Sequence, residues 1–213
     1  SLHGSILRFS GAILVCPLQA RCLATKNIRK RGEFAFMNSV ILYGSHYGSA
    51  RRYAQALAES TGIVAVPYTD APRLSDKHAI VYVGALYAGG VLGLRKTFRG
   101  FAPKEGQTIL IATVGLADPT DAENRANIRA SLKRQLSAEV LERAKIFHLR
   151  GGIDYQKLSL GHRAAMALLY QTARRVPEEK QTAENRALIE TYGQRVDFED
   201  LRALEPILQA IPR

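Results

Sequence analysis

Small and hydroxyl-bearing residues follow the first strongly apolar run of the chain, in a pattern that suits a phosphate group. That run, residues 39–43, ends at Gly44, and the turn Ser45-His46-Tyr47-Gly48-Ser49-Ala50 then leads into a helical pattern. A tight turn that opens a helix presents backbone N–H groups and a positive dipole end, which bind anions. The turn has neither the Gly-Lys-Ser/Thr ending of a nucleoside-triphosphate loop nor the GxGxxG spacing of a dinucleotide fold. We therefore predict a phosphate-binding loop whose hydroxyl donors are Ser45 and Ser49.

Three later apolar runs are also followed by small residues, at 84–90, 115–119 and 151–155. Small residues let a planar ring approach the backbone, and Tyr87 or Tyr155 could stack on such a ring. Taken alone, each tyrosine is more often a rim or core residue. Besides the six loop residues, the candidate contacts are Ala85, Leu86, Tyr87, Ala88, Gly89, Val114, Gly115, Leu116, Gly151, Gly152, Asp154 and Tyr155.

Apolar runs of strand length alternate with amphipathic patterns of helical length along the chain. The predicted strands are 39–43, 63–66, 79–83, 108–114 and 145–149, and the predicted helices are 49–60, 91–101, 121–144, 158–175, 182–192 and 198–211. This alternation favours an α/β fold with a doubly wound, mostly parallel sheet. Ligands of such sheets bind beyond the carboxyl ends of the strands, so the four small-residue segments should flank one crevice.

The loop and the strand pattern resemble the flavodoxin family. The loop matches the family's phosphate-binding pattern at Ser45 and Gly48 but has Ala50 where the family usually has threonine. The resemblance covers nearly all of residues 37–213. It implies a flavodoxin-like sheet of five parallel strands in the order 2-1-3-4-5, with helices on both faces, and flavin mononucleotide (FMN) as the cofactor.

Within that family, the sequence is most similar to the bacterial flavodoxin-like protoporphyrinogen oxidases and related flavodoxin-domain proteins. The features in common are residues 82–85, residues 151–155 and a long apolar and basic segment at 155–175. This likeness implies an FMN-dependent oxidoreductase that passes electrons to a quinone or to a redox partner protein. No residue points to a porphyrin as the substrate, and no catalytic side chain is identified.

Other classes of function receive less support from the sequence. A flavodoxin-fold binding or regulatory module that no longer uses flavin remains the alternative, because Ala50 lacks a hydroxyl. Both cysteines, Cys16 and Cys22, precede the fold, so no disulfide or thiolate chemistry is available to its main part. The histidines and carboxylates show no metal-ligand spacing. No reader motif for nucleic acid appears, so we expect no nucleic-acid partner.

Positive charge is spread over the chain, with a formal net charge of +11. Residues 1–36 hold six basic residues against one acidic residue, and the rest holds 24 against 18. We treat 1–36 as an N-terminal extension that is a targeting leader, an anchor for anionic surfaces, or a segment outside the natural chain. In the last case Met37 would be the start, and recovery of earlier peptides from natively expressed protein would refute it.

An apolar run at 164–170 lies between Arg163 and the pair Arg174 and Arg175. A helix there would cover one face of the sheet, or else meet a membrane surface or a second subunit. No apolar stretch reaches the roughly 20 residues of a spanning helix. We expect a cytoplasmic protein and leave peripheral membrane contact and a homodimer open.

Overall fold

The computed structural model describes residues 38–87 and 89–212. The predicted extension, residues 1–36, and the candidate contact Ala88 lie outside these residues. Within them, the strands are β1 (Val40–Gly44), β2 (Ala65–Pro67), β3 (Ala79–Tyr87), β4 (Gly90–Val91), β5 (Thr108–Gly115), β6 (Ala144–Arg150), β7 (Gly152–Asp154) and β8 (Arg195–Asp197). The α-helices are α1 (Ser49–Thr61), α2 (Leu94–Thr97), α3 (Ala122–Gln135), α4 (Ala138–Arg143), α5 (Leu160–Arg174), α6 (Ala183–Thr191) and α7 (Glu205–Ala210).

The main sheet has the predicted architecture. Its strands lie in the order β2-β1-β3-β5-β6, and each neighbouring pair is parallel. This order is the expected 2-1-3-4-5 arrangement of the five long apolar runs, so the predicted fold class is confirmed. Three short strands of the described residues were not expected: β4, which pairs antiparallel with the end of β3, and β7 and β8, which pair with each other.

The strands read as continuous apolar runs because both faces of the sheet are buried. Alternate residues enter two separate cores, with Ile41 on one face and Val40 and Leu42 on the other. Helices α1 and α7 cover the first face, and α2, α3 and α4 cover the second. The chain therefore brings the carboxyl ends of β1, β3, β5 and β6 to one open edge.

The segment after the third predicted strand was interpreted wrongly. We expected the strand to end near Gly84 and a helix to span 91–101, but β3 continues to Tyr87 and turns back into β4. Gly89 makes the turn possible with φ +74°. Pairing of Leu86 with Val91 then replaces helix formation, and only the four residues of α2 are helical.

The predicted helix 121–144 is two helices. α3 begins after Asp121, whose carboxylate accepts a hydrogen bond from the N–H of Asn124. Ser137 caps α4 by accepting from the N–H of Val140. A serine at the N-cap is favourable at a helix start and neutral at best inside a helix, so the long pattern divides there.

One of our expectations was that a helix at 164–170 covers a face of the main sheet. The segment between β7 and β8, which contains that helix, does not cover a face. β7 and β8 pair with each other in a small antiparallel sheet, and α5 packs on α6 above the strand ends. Leu160 and Leu168 of α5 are 83% and 70% exposed. No helix within the described residues is long and apolar enough to cross a bilayer.

The first prediction tests the crowding at the strand ends. A Cβ atom on Gly44 would overlap the carbonyl oxygen of Leu92, so Gly44→Ala should lower the free energy of unfolding by about 1–3 kcal/mol, the usual range for overpacking. Urea denaturation measures the change. Gly161→Ala is the matched control, because its Cβ meets no atom within 4 Å and alanine favours a helix by roughly 0.5–1 kcal/mol. Equal stability of the two variants would contradict the prediction.

Candidate functional site: a cavity at the strand ends

A cavity of about 420 Å³ lies at the carboxyl edge of the main sheet. Its floor consists of the segments that follow β1, β3, β5 and β6, and α5 and α6 form its roof. This volume is typical of sites for small ligands and cofactors. The lining residues are Ser45, Tyr47, Ser49, Ala50, Ala85, Leu86, Tyr87, Gly89, Gly90, Val114, Gly115, Leu116, Ala117, Gly151, Gly152, Ile153, Ala165, Met166, Leu168, Leu169, Glu184 and Leu188.

One end of the cavity is the N-terminus of α1. Helices α3, α4, α5 and α6 each begin with a side chain that accepts a hydrogen bond from the first turn. α1 begins at Gly48, with φ +102°, and has no such cap. The N–H groups of Ser49 and Ala50 form no hydrogen bond with any described residue. They are free donors at a positive dipole end, which is the chemistry a phosphate requires.

The two serines of this loop have different roles. The Oγ atom of Ser45 accepts a hydrogen bond of 3.1 Å from the N–H of Gly48, so its own proton remains available for a ligand. Ser49 accepts from the N–H of Gly152 at 3.0 Å and donates to the carbonyl of Gly152 at 3.4 Å. Ser45 can thus serve as a ligand donor, whereas Ser49 joins the loop to β7.

The side chain of Ala50 has no polar group for a ligand and packs into the core. It is fully buried with Ile41 and Tyr53 beneath the sheet edge. With Ser49 engaged by Gly152, the loop presents the hydroxyl of Ser45 and backbone N–H groups. A phosphate here would be held chiefly by the backbone.

The rest of the cavity lining is mainly apolar. The β3–β4 hairpin contributes Leu86 and Tyr87, the segment after β5 contributes Leu116, and the roof contributes Leu169. Glu184 is the one charged side chain among the described lining residues. It reaches solvent at the mouth, and desolvation by its neighbours raises the pKa of its carboxyl group.

Glycines between the floor segments serve the packing of the chain itself. A Cβ atom on Gly115 would lie 2.7 Å from Cδ1 of Leu86, and one on Gly151 would lie 2.8 Å from Cγ1 of Val114. We expected these small residues to let a ring approach the backbone. The structure shows that they let the strand ends and the hairpin lie against each other, and the approach of a ring stays a prediction.

Four rings form a cluster at the rim, next to the phosphate-type loop. The ring of His46 lies 4.5 Å from that of Tyr87 and 5.3 Å from that of His162 in the first turn of α5. Tyr47 lies 5.9 Å from His162 in an edge-on contact. We define these four residues as the rim cluster. Tyr87 belongs to the hairpin and His162 belongs to α5, so the cluster holds the roof against the floor.

Burial lowers the pKa of His46, and the nearby His162 lowers it further. The hydroxyl of Tyr47 is buried and has no hydrogen-bond partner among the described residues. An unsatisfied buried hydroxyl costs roughly 1–3 kcal/mol. A ligand with a polar group beneath α5 would relieve that cost.

The structure brings thirteen of the predicted contacts to the cavity lining and leaves four described ones outside it. His46 belongs to the rim cluster, and Gly48 shapes the loop. Asp154 lies near Lys157 and Arg195, with each contact at 3.9 Å, and caps the next turn. Tyr155 is 8% exposed and packs on Tyr192, and burial raises the pKa of Tyr155 to about 12. Contact of these residues with a cofactor stays a prediction.

Sequence reasoning missed the roof and parts of the floor. The missed lining residues are Gly90, Ala117, Ile153, Ala165, Met166, Leu168, Leu169, Glu184 and Leu188. Gly90, Ala117 and Ile153 lie within the small-residue segments that we predicted to flank the crevice. The signal for the roof was the apolar run at 164–170, which we assigned to the sheet or to a partner. Within the described residues, no three histidine, cysteine or carboxylate side chains lie close enough together to hold a metal ion.

Comparison with known proteins now assigns the family. The model of the flavodoxin domain matches residues 40–180, which is more than half of the 213-residue chain. The chain belongs to the flavodoxin domain family. This flavodoxin domain therefore has a flavin-binding redox fold, and the closer likeness to protoporphyrinogen oxidases gains no support from the match.

Solved structures similar to this flavodoxin domain carry related descriptions. A protein from Bacteroides uniformis, described as a flavoprotein, shares 12% identity, with 54% of this chain and 90% of that chain covered and a TM-score of 0.38. A cysteine-to-alanine variant of flavodoxin from Pseudomonas aeruginosa shares 22% identity, with 64% and 96% covered and a TM-score of 0.34. No curated protein matches the chain.

The second prediction concerns the rim cluster. His46 should titrate below its ordinary pKa of 6.5, and His162→Gln should raise that pKa towards the ordinary value without reaching it, because burial remains. Histidine NMR titration measures both values. Because the folded state binds fewer protons, the stability due to His46 is present above about pH 6.5 and is lost as the pH falls below it. A wild-type His46 pKa at or above 6.5 would mean that burial and His162 do not control its titration.

Proposed function

We propose that this flavodoxin domain binds FMN in the cavity and uses it to move electrons to or from a flat, apolar molecule. The observation that carries the proposal is the uncapped start of α1, where free N–H groups meet one end of an apolar cavity. A phosphate satisfies those donors, and an apolar ring fills the space beside Leu86 and Tyr87. FMN has both parts in one molecule.

The chain supplies binding, orientation and exclusion of water. The N–H groups of Ser49 and Ala50 and the hydroxyl of Ser45 would hold the phosphate. Leu86, Tyr87 and Leu116 would contact the ring system, with Tyr87 offering a face for stacking. When bound, FMN supplies the redox chemistry by accepting and releasing one or two electrons.

The roof supports an apolar partner rather than a large protein surface. Ala165 and Leu169 are four residues apart on α5, so they share one face of the helix, and both line the cavity. Leu168 also lines it and remains largely exposed at its mouth. A quinone fits a space bounded by such side chains. An oxidoreductase acting on such a ring is the finer form of the proposal, and a substrate of the protoporphyrinogen type is one version of it.

The arginines that suggested a membrane or protein partner lie on a different side of α5 from the side chains that line the cavity. Arg163 and Arg174 are eleven residues apart and so share a face, on a different side of α5 from Ala165 and Leu169. Arg163 donates to the carbonyl of Gln156, and the guanidinium of Arg174 lies 5.5 Å from the ring centroid of Tyr170. These contacts give both side chains a role within the fold. We therefore prefer a quinone as the electron acceptor to a partner at an anionic membrane surface.

A flavin-free binding module is the second candidate. Two observations favour it: the hydroxyl of Ser49 is engaged with Gly152, and Ala50 has none. The loop therefore offers fewer side-chain donors than the family pattern implies. Purified protein that is yellow and releases FMN on heating supports the first candidate, and colourless protein that does not take up added FMN supports the second.

The third prediction tests the phosphate end. Gly48→Val should weaken FMN binding by about tenfold or more, since valine is strained at φ +102° and the N–H groups would move from their places. Quenching of FMN fluorescence measures the affinity. Gly62→Val is the matched control, because Gly62 has φ +75° at the far end of α1 with nothing within 4 Å. Equal FMN affinity in the two folded variants would remove this loop from the site.

The fourth prediction tests the roof. Leu168→Glu places a charge at the cavity mouth and should lower kcat/KM for a water-soluble quinone by about tenfold or more, because an apolar ring would then meet a carboxylate. FMN affinity, measured in parallel, separates loss of substrate from loss of cofactor. Leu160→Glu is the control, since Leu160 is more exposed on the same helix and lies outside the cavity. If Leu160→Glu is as harmful as Leu168→Glu, the roof does not bind the acceptor.

A further inference from the structure

A second concave surface lies near the carboxyl end of the edge strand β2. It is a groove of about 560 Å³ between the segment that follows β2 and the segment around α2. Three of its lining residues are cations, namely Arg73, Lys96 and Arg99. We call this surface the basic groove. None of its lining residues takes part in the FMN cavity.

The cations of the basic groove have no direct ion-pair partner within the described part of the chain. The groove lining contains no aspartate or glutamate. Arg73, Lys96 and Arg99 form no ion pair with a described residue. The nearby carboxylates in sequence, Asp70 and Asp76, lie outside the lining. Three cations around one concavity repel each other, and a bound anion would remove that repulsion.

Two aromatic rings form walls of the same groove, and the fold holds them in place. Tyr68 lies against the backbone of Gly93, where any Cβ atom would overlap the ring. The ammonium group of Lys96 lies 5.7 Å from the centroid of the Tyr68 ring. Phe101 packs on the core residue Phe98, with 5.7 Å between ring centroids. The groove thus pairs fixed rings with cations that can reach an anion.

Three residues with hydroxyl groups also line the basic groove. Thr69, Ser75 and Thr97 line the groove, and the hydroxyls of Ser75 and Thr97 donate to Asp76 and to the carbonyl of Gly93. Guanidinium groups bind phosphate oxygens in pairs, and aromatic walls bind flat rings. We propose that the basic groove binds a small anionic ligand with a phosphate group and a flat ring, which is the chemistry of a mononucleotide.

The basic groove lies close to the FMN cavity but is separate from it. Leu92 packs against Gly44 at the start of the phosphate-type loop, and the next residue, Gly93, packs against Tyr68. One chain segment therefore divides the two spaces. Two ligands can be present together, and binding to each can be measured with the other site blocked.

The test is calorimetric titration with ADP, adenosine and inorganic pyrophosphate at low salt, on protein loaded with one equivalent of FMN and freed of unbound FMN, because free FMN would compete for the basic groove. We expect ADP to bind at least about tenfold more tightly than adenosine or pyrophosphate, since only ADP engages both cations and rings. The double variant Lys96→Ala with Arg99→Ala should weaken ADP binding by about tenfold or more. The matched control, Arg129→Ala with Lys133→Ala, removes two exposed cations from α3 and should change it less than about twofold.

Three results would overturn the proposal: no ADP binding at low salt, equal losses in the two double variants, or pyrophosphate that binds as tightly as ADP. Circular dichroism establishes that each double variant is folded. Gly48→Val separates this proposal from the FMN proposal, since that variant should lose FMN and retain ADP. Loss of ADP binding in Gly48→Val would assign the nucleotide to the cavity and overturn the basic groove.

Discussion

The site depends on how closely the strand ends pack at the carboxyl edge of the sheet. Gly44 and Gly84 are paired across β1 and β3, and neither has room for a Cβ atom. Gly115 and Gly151 are similarly crowded at the ends of β5 and β6. Because interiors are close-packed, an added methyl group at any of these positions has to push a neighbouring segment away. The glycines at these four positions therefore let the hairpin, the phosphate-type loop and β7 meet around one cavity.

A second contact joins the floor to the roof. Ser49 exchanges two hydrogen bonds with Gly152, which connects the first turn of α1 to the strand that leads into α5. The rim cluster also joins the loop to the roof, because the ring of His46 contacts the ring of His162 on α5. The hydroxyl of Ser49 is therefore engaged within the fold, where it helps to position the roof. The backbone N–H groups of Ser49 and Ala50 remain free at the start of α1.

The α/β architecture was predictable because continuous apolar runs of strand length mark buried parallel strands, and the order of the five strands was predicted from the resemblance to the flavodoxin family. The phosphate-type loop was also predictable from a local pattern. The hairpin was not, since Leu86 and Val91 pair only once Gly89 reverses the chain. The roof was missed because Leu168 and Leu169 look like any apolar helix face, and only the packing of α5 on α6 turns them towards the strand ends. The basic groove combines residues from two separate segments of the chain, so no local pattern contains it.

The roof is the part of the flavodoxin domain on which our proposal of a small apolar acceptor rests. An electron carrier that docks on a partner protein needs its ring edge accessible over a broad surface. Here Ala165, Met166 and Leu169 extend over the cavity from α5, and the rim cluster closes one side. The remaining opening is bounded by Leu168 and Glu184, with apolar side chains behind them. A thin apolar molecule passes such an opening with little loss of hydration, whereas the polar rim of a protein interface would have to leave water. These features are the basis on which we propose a small ring as the electron acceptor.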